Sequence, residues 1–559
     1  MKTIKKIKII VALTLLIQMT SCLNLTELNV SPNSPVDVSS NYILTYVLTN
    51  TAKTYKSLGD HKTGVAGVSQ YNQMGTNDGM PEVNQYLWTS GSWAGYYNLL
   101  RNVKIINEKS ITEKNKLFEA ISLTLRAFLY GTLTDLFGDV PYSESMKATE
   151  GIYFSKYDDQ KDIYKGVLTD LKNAETILGD PGIANYKISS SADVMYGGDA
   201  VKWRKFVNSL RLRYSMRLIN KKADMSALGI DLVAEFNSAA ALAFTSNSDN
   251  AVINYIGTTA DNSAKGGLLN TSNPEYQTKP CKTMVDKLKS YNDPRLHRWV
   301  IPVQTKWDFN ATTSSDVTVK NWFGETFTVK ILPTTNTSLD TSFYVGMPAN
   351  IALFDAQVYN KGAGPAFPQP ERSPYISYLH PRYRANSDTY IKMDIMMYSE
   401  VEFLLAEAAQ RGGYTISDPE THYKNGIVAS LNRWGINDGS NGFNFNTYYS
   451  NPKVSYSSAT NKLERILDQK WISSWLTVEA WFDYRRTGYP VLVTGPVTQY
   501  GAALPLRFIY PVPSQDPKYL VNYNAAVAKL EATSYVSTGQ SKDHNYSRMW
   551  LLQGTGKPY

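Results

Sequence analysis

Between residues 115 and 137 the apolar side chains Leu117, Phe118, Ile121, Leu125, Phe128, Leu129 and Leu133 recur at spacings of three and four. Gly138 and Pro141 close the run. That period places them on one broad face of a helix of about six turns, long enough that its partners must be helices as well. Further helical patterns cover residues 203–219, 463–484 (closed by Gly488 and Pro490) and 398–411, the last broken at Gly412 and Gly413. Another helix starts at Ser417, Asp418, Pro419 and Glu420: either Ser417 caps it with Glu420 completing a capping box, or Asp418 caps it with Pro419 at the first helical position.

The stretch MYSEVEFLLAEAAQRGGYTISDPETHYKNGIVASLNRWG thus reads as helix, short turn, helix, close to the roughly 34 residues of a tetratricopeptide-type repeat. One such pair cannot bury its own apolar faces, so several must stack, with the helices before Gly138 and after Tyr157 as partners. Strand-like alternation is confined mainly to residues 300–350, at Val317, Thr318 and Val319 and again from Thr326 to Val329. Long loops rich in Asn, Ser, Gly, Pro and Tyr surround it; loops of that length in a compact protein are usually functional or disordered, and the aromatic content favours function. No linker or low-complexity tract divides the chain, which predicts a single unit over residues 41–559.

The N-terminus is an address. Lys2, Lys5, Lys6 and Lys8 precede a short apolar run, Ile9 to Ile17, and then Met19, Thr20, Ser21 and Cys22. A basic start, an apolar core about half the roughly 20 residues needed to span a bilayer, and small residues before the cut make residues 1–21 a cleaved secretory signal. Cys22 at the cut matches the lipobox of bacterial lipoproteins, in which the thiol is diacylated and the new N-terminus acylated; two or more chains give stable attachment. Residues 22–40, short of large apolar side chains and rich in Asn, Ser and Pro, read as a flexible tether.

Four lysines and no acid leave with the signal, so the formal charge falls from +8 to +4. A balance so near neutrality argues against nucleic acid as a partner. The chain has two cysteines; with Cys22 acylated, Cys281 has no partner, so stability must come from a core. The five histidines are scattered without metal-ligand spacing, and no phosphate-cradling glycine loop occurs, so neither a metal nor another cofactor is expected. Paired carboxylates at Asp135 and Asp139, and at Glu479 and Asp483, would suit a lipid-anchored glycoside hydrolase if they flanked a glycosidic bond. The competing reading places Asp135 and Asp139 at a helix end and pairs Glu479 and Asp483 with Arg485 and Arg486. No catalytic residue is assigned.

The chain carries 39 Tyr, 11 Trp and 18 Phe, more ring than a core of this size absorbs, since buried hydroxyls need partners. Trp203, Trp434, Trp471, Trp475 and Trp481 fall in helical patterns and are assigned to packing. By contrast Tyr71, Tyr86 and Trp88 are interleaved with the amides Asn72, Gln73 and Asn84 in one loop, and Trp307 and Trp322 lie in the strand region. A pyranose offers an apolar C–H face to a ring and hydroxyls to amides, so these eight residues are the expected ligand contacts. The alternative is that the rings pack the loops.

In LTDLFGDVPYSES, YGGDAVKWRKFVNSLRLRYSMRL, NDPRL, YVGMP, EVEFLLAEAAQRG, KWISSWLTVEAWFDYRRTGYP and RFIYP, the chain resembles the SusD/RagB family of nutrient-binding lipoproteins of Bacteroidetes, in its SusD-like, starch-binding-associated branch. The blocks run in order from about residue 71 to about residue 524. The resemblance implies a mainly α SusD-like fold of stacked tetratricopeptide-like helix pairs with an irregular, loop-rich ligand-binding region and a few short strands. It also implies a protein lipid-anchored at the outer membrane and facing the cell exterior. Such a protein captures oligosaccharide or, in some members, peptide, and delivers it to a SusC-like TonB-dependent transporter without catalysis. The shared blocks are scaffold, and they transfer no binding residue.

Overall fold

The computed structural model describes residues 38–60, 63–259, 262–264, 277–367, 369, 372–498, 500–501, 503–511 and 516–559. The signal 1–21, Cys22 and the tether up to residue 37 lie outside the described residues.

Thirteen helices form the frame: α1 (Ser40–Leu58), α2 (Ala94–Thr112), α3 (Lys116–Phe137), α4 (Gln160–Gly179), α5 (Ala200–Arg217), α6 (Leu232–Ala240), α7 (Lys282–Tyr291), α8 (Arg295–Trp299), α9 (Tyr398–Arg411), α10 (Pro419–Arg433), α11 (Lys462–Ser473), α12 (Glu479–Thr487) and α13 (Pro517–Ala528). The periodic run around Leu125 is α3. Asn115 starts it by accepting from the amides of Leu117 and Phe118, and Gly138, at φ +94°, ends it. Nearly every side chain from Ala120 to Phe137 is buried, because α2 covers one side of α3 and α4 the other. Gly131 is required on this helix, since a Cβ there would sit 2.2 Å from the Tyr214 hydroxyl of α5. Packing continues α4 on α5 and α5 on α6, while α9 packs on α10 and α11 and also touches α5.

Asp418, not Ser417, caps α10. It accepts from the Thr421 amide, with Pro419 at the first helical position. The pattern at residues 463–484, read as one helix, is two. Leu476 between α11 and α12 takes a left-handed φ of +56°. The apolar spacing runs on through the break, but Trp475 is drawn out to stack on Trp299, with centroids 4.7 Å apart, and to donate from Nε1 to the Tyr383 hydroxyl at 2.7 Å.

Among the described residues nine short strands pair in four small sheets: β1 (Asn72–Met74) with β3 (Thr278–Pro280), β2 (Ala251–Asn254) with β9 (Lys392–Met396), β4 (Val300–Ile301) with β8 (Tyr378–Leu379), and β5 (Thr305–Asp308), β7 (Thr326–Pro333) and β6 (Ser315–Lys320) in the order β5-β7-β6. Strands therefore occur well outside residues 300–350. The large apolar core joins α1–α6 with parts of α9 and α12, and a second core gathers α7, α8, α10 and α11. Tyr255 and Leu492 pack against both.

Candidate ligand-binding face

Seven of the eight expected ligand contacts lie in the interior. Tyr71 is fully buried, its ring 5.6 Å from Trp471 and 5.1 Å from Trp475, and its hydroxyl is shared between the Trp471 and Ser474 carbonyls. Asn72 is buried in β1, and the Gln73 side-chain oxygen accepts from the Asn350 amide at 2.8 Å. Asn84 spends its amide on Met74 N, Met74 O and Ile351 O. Tyr86 is buried and donates to Asn350 Oδ1, and Trp88 donates to Glu82 O with its ring edge-on to Trp481 and Phe508. Trp307 donates to Asn360 O and stacks on Tyr375 at 5.5 Å. The side-chain amides of Gln73 and Asn84 instead satisfy buried loop backbone, which cannot be left unpaired. These seven thus present neither ring face nor amide at the surface; their aromatic and amide texture is loop packing. Trp322 alone of the eight is exposed, at 37 %.

The structure brings other residues together. A cleft opens where the two cores meet, walled by Tyr255 after β2, Tyr390 before β9, and Trp434 after α10, with Trp475 and Leu476 beneath. An aromatic column leads to it: Tyr71 meets Trp475, Trp475 stacks on Trp299, Trp299 meets Trp434 edge-on at 5.5 Å, and Trp434 stacks with the half-buried Tyr390. The enclosed space is about 30 Å³, so a ligand would lie across the mouth, against the half-buried rings of Tyr255 and Tyr390. The floor is held in an unusual conformation, since Leu476 is a bulky residue with positive φ, and such positions cluster at binding sites. The Arg298 guanidinium backs two of the wall residues, lying 3.4 Å over Phe323 and 4.6 Å over Tyr390 while Nε donates to Trp434 O. Lys392 on the wall makes no ion pair among the described residues; burial and the nearby Arg433 hold its pKa below the usual lysine value.

On the other side of α8 lies a wider groove of about 430 Å³, lined by Trp322, His297, Tyr344 and Phe443. His297 lines this groove, whereas its neighbour on α8, Arg298, reaches Tyr390 and Trp434 of the cleft wall. His297 Nδ1 lies 2.7 Å from the Tyr344 hydroxyl, and burial pushes its pKa down to about 4. An unfolded histidine titrates near 6.5, so between those values the unfolded chain takes up a proton that the native one refuses. The His297 contribution to stability is therefore complete above about pH 6.5 and is lost as pH falls towards 4. Urea unfolding at a series of pH values should show this slope, and His297→Gln should flatten it.

The carboxylate pairs serve the scaffold. Glu479 bonds Arg217 and accepts from Tyr55, and Asp483 pairs with Lys470 and Arg486, all of them buried. Asp135 pairs with Arg217 at 2.6 Å and accepts from Tyr164, and Asp139 accepts from the Gln160 amide with Lys529 at 3.3 Å. Buried Cys281 has its thiol pushed up to about 11, which keeps it protonated. Among the described residues no cluster of three or more His, Cys, Asp or Glu could hold a metal ion, and no helix is long and apolar enough to cross a membrane.

Stacked helix pairs carrying a loop-built aromatic face define a helical-repeat scaffold of the SusD type. The chain belongs to the SusD-like family described as starch-binding associating with outer membrane, whose profile matches residues 32–511. Among curated proteins none matches the sequence. Similar solved structures include a SusD homolog from Bacteroides fragilis NCTC 9343, 22% identical over 92% of this chain and 99% of that one, with a TM-score of 0.68. An outer membrane protein of Bacteroides vulgatus ATCC 8482, whose description connects it with nutrient binding, is 25% identical over 92% of this chain and 100% of its own, with a TM-score of 0.69. A chitin-binding protein is 23% identical over 90% of this chain and 99% of its own, with a TM-score of 0.65.

Proposed function

We propose that the chain is a non-catalytic nutrient-binding lipoprotein. Anchored through acylated Cys22 at the outer membrane and facing the exterior, it captures oligosaccharide across the Tyr255–Tyr390 cleft and passes it to a SusC-like TonB-dependent transporter. The family description supports the ligand class and the location. The observation that carries the reading is segregation: the acid–base candidates Glu479 and Asp483 are consumed by buried ion pairs, whereas half-buried rings stand at an open cleft. Asp60 and Asp394 also line the cleft, and Asp394 is paired with Arg433 at 2.8 Å; rings that hold glycan beside an ion-paired carboxylate bind it without hydrolysis.

Calorimetry on the soluble form beginning at residue 23, titrated with starch- and chitin-derived oligosaccharides, tests this. Tyr390→Ala should weaken binding about tenfold, because truncating a central ring removes a hot-spot contact. The bound sugar should be recovered uncleaved by mass spectrometry. Unchanged affinity in both Tyr390→Ala and Tyr255→Ala, or steady hydrolysis, would overturn the reading. One observation favours a peptide ligand instead. The Lys392 ammonium, with no ion pair among the described residues, could receive a carboxylate, and Lys392→Ala would then weaken acidic peptides while sparing neutral sugars.

A further inference from the structure

The groove beside Trp322 has features that the scaffold does not use. The Trp322 ring is 37 % exposed, rests at 6.2 Å on the nearly parallel His297 ring, and is braced at 5.9 Å by Phe443. Its indole N–H makes no hydrogen bond among the described residues. Around it stand exposed amides. Asn292, at a left-handed φ of +54° after α7, has no side-chain bond among the described residues. Asn444 spends its oxygen on Thr447 and keeps its NH2 group uncommitted among them. The volume of about 430 Å³ lies within the roughly 300–1,000 Å³ of small-molecule sites.

The charges nearby are spent. Asp293 is fully enclosed in a pair with Arg295 at 2.6 Å and accepts from Tyr448, and Lys289 reaches Ser342 at 2.8 Å and Asp286 at 3.4 Å. Burial holds the pKa of His297 down at about 4, which disfavours its cationic form. A charged ligand would have to be desolvated here without a counter-ion, which is costly, whereas a ligand with one apolar face and hydroxyl edges loses little. From the exposed indole, the uncommitted amides and the spent charges we infer that this groove is a second binding site, distinct from the Tyr255–Tyr390 cleft, for an uncharged oligosaccharide. One sugar face lies on Trp322, and its hydroxyls are read by Asn292 and Asn444.

The test uses the soluble form from residue 23 with maltoheptaose and chitohexaose as uncharged probes and a sulfated heparin oligosaccharide as the charged control. Binding is followed by calorimetry and by tryptophan fluorescence. Trp322→Ala should weaken the uncharged probe at least tenfold at one of two sites, lowering the stoichiometry while the Tyr390-dependent event persists; Trp322→Phe should retain most of the binding. Trp322 is 37 % exposed and otherwise packs on His297 and Phe443, so circular dichroism first establishes that each variant is folded at the titration temperature. The site is overturned if Trp322→Ala leaves affinity and stoichiometry intact, if neither uncharged probe binds at millimolar concentration, or if the sulfated control binds the groove as well as they do. Loss of the Tyr390 event with the Trp322 event preserved would count against the cleft and not against the groove.

Discussion

Arg217→Met should lower the unfolding free energy by about 3–5 kcal/mol, the cost of breaking a buried ion pair from one side. Arg217 is 3 % exposed, joins Asp135 and Glu479 at once, and lies 4.6 Å over the Phe482 ring. These partners come from α5, α3 and α12, so the guanidinium ties three helices of the main core together. Glu479 is further held by Arg213, which pairs with Glu400 of α9 at 2.7 Å. Methionine fills much of the volume but leaves two carboxylates facing a gap. Neutralising them together, in Arg217→Met with Asp135→Asn and Glu479→Gln, should recover a large part of the loss, since the penalty comes from orphaned charge and not from missing attraction. Urea unfolding of the three proteins decides. A loss under about 1 kcal/mol in the single variant would mean that water reaches the cluster. Burial raises the pKa of Asp135 and opposes acid sensitivity there, but Glu479 in this cluster and Glu407, paired with Arg486, make the fold sensitive to acid. Burial raises the pKa of Glu479 and of Glu407, but Arg213 and Arg217 for the first, and Arg486 and Arg411 for the second, more than offset it and hold both below the ordinary glutamate value. Their contribution is complete above about pH 4.3, where unfolded glutamate titrates, and is lost as pH falls through the native values.

The frame was legible because helices announce themselves locally. The spacing around Leu125, the Asn115 cap and the stop at Gly138 all lie within one stretch of chain, and α9 with its break at Gly412 likewise. Where local rules were insufficient, a distant partner decided. Nothing near Leu476 marks a left-handed residue in an otherwise helical pattern; the cause is the stack of Trp475 on Trp299, some 176 positions earlier in the chain.

The same reason hid most of the proposed ligand face. Tyr255 and Tyr390 flank strands that meet only because β2 pairs with β9, and Trp434, read as a packing residue, does pack while also walling the cleft. Ring-and-amide texture cannot distinguish a sugar platform from a buried loop, because unpaired backbone in a long loop attracts the same Asn and Gln side chains that hydroxyls would. Asn84, which bridges Met74 and Ile351, is the instructive case. The useful signal was the contrast between it and Trp322, which sits at the Asn321–Glu325 turn of the β6–β7 hairpin, where there is little interior for an indole to enter.

Trp299→Ala should be the second severe lesion, and it joins stability to binding. Trp299 is fully buried, stacks on Trp475 at an angle of 2°, and supports Trp434 edge-on. Truncating a buried tryptophan costs about 3–5 kcal/mol through lost transfer energy and the cavity left behind. The cavity would lie directly under the cleft wall, so Trp434 and Tyr390 lose the surface that fixes their spacing. Glycan affinity should fall about tenfold, even at a temperature where the variant stays folded. Trp299→Phe separates the two effects. The indole N–H of Trp299 has no hydrogen-bond partner among the described residues, so phenylalanine removes volume but sheds an unsatisfied buried donor, itself a penalty of roughly 1–3 kcal/mol. Its net destabilisation should be less than half that of alanine, and the cleft should keep most of its affinity. Differential scanning calorimetry and sugar titration on both variants check this. If Trp299→Ala binds as tightly as the parent protein, the aromatic column supports the core alone and the ligand rests elsewhere.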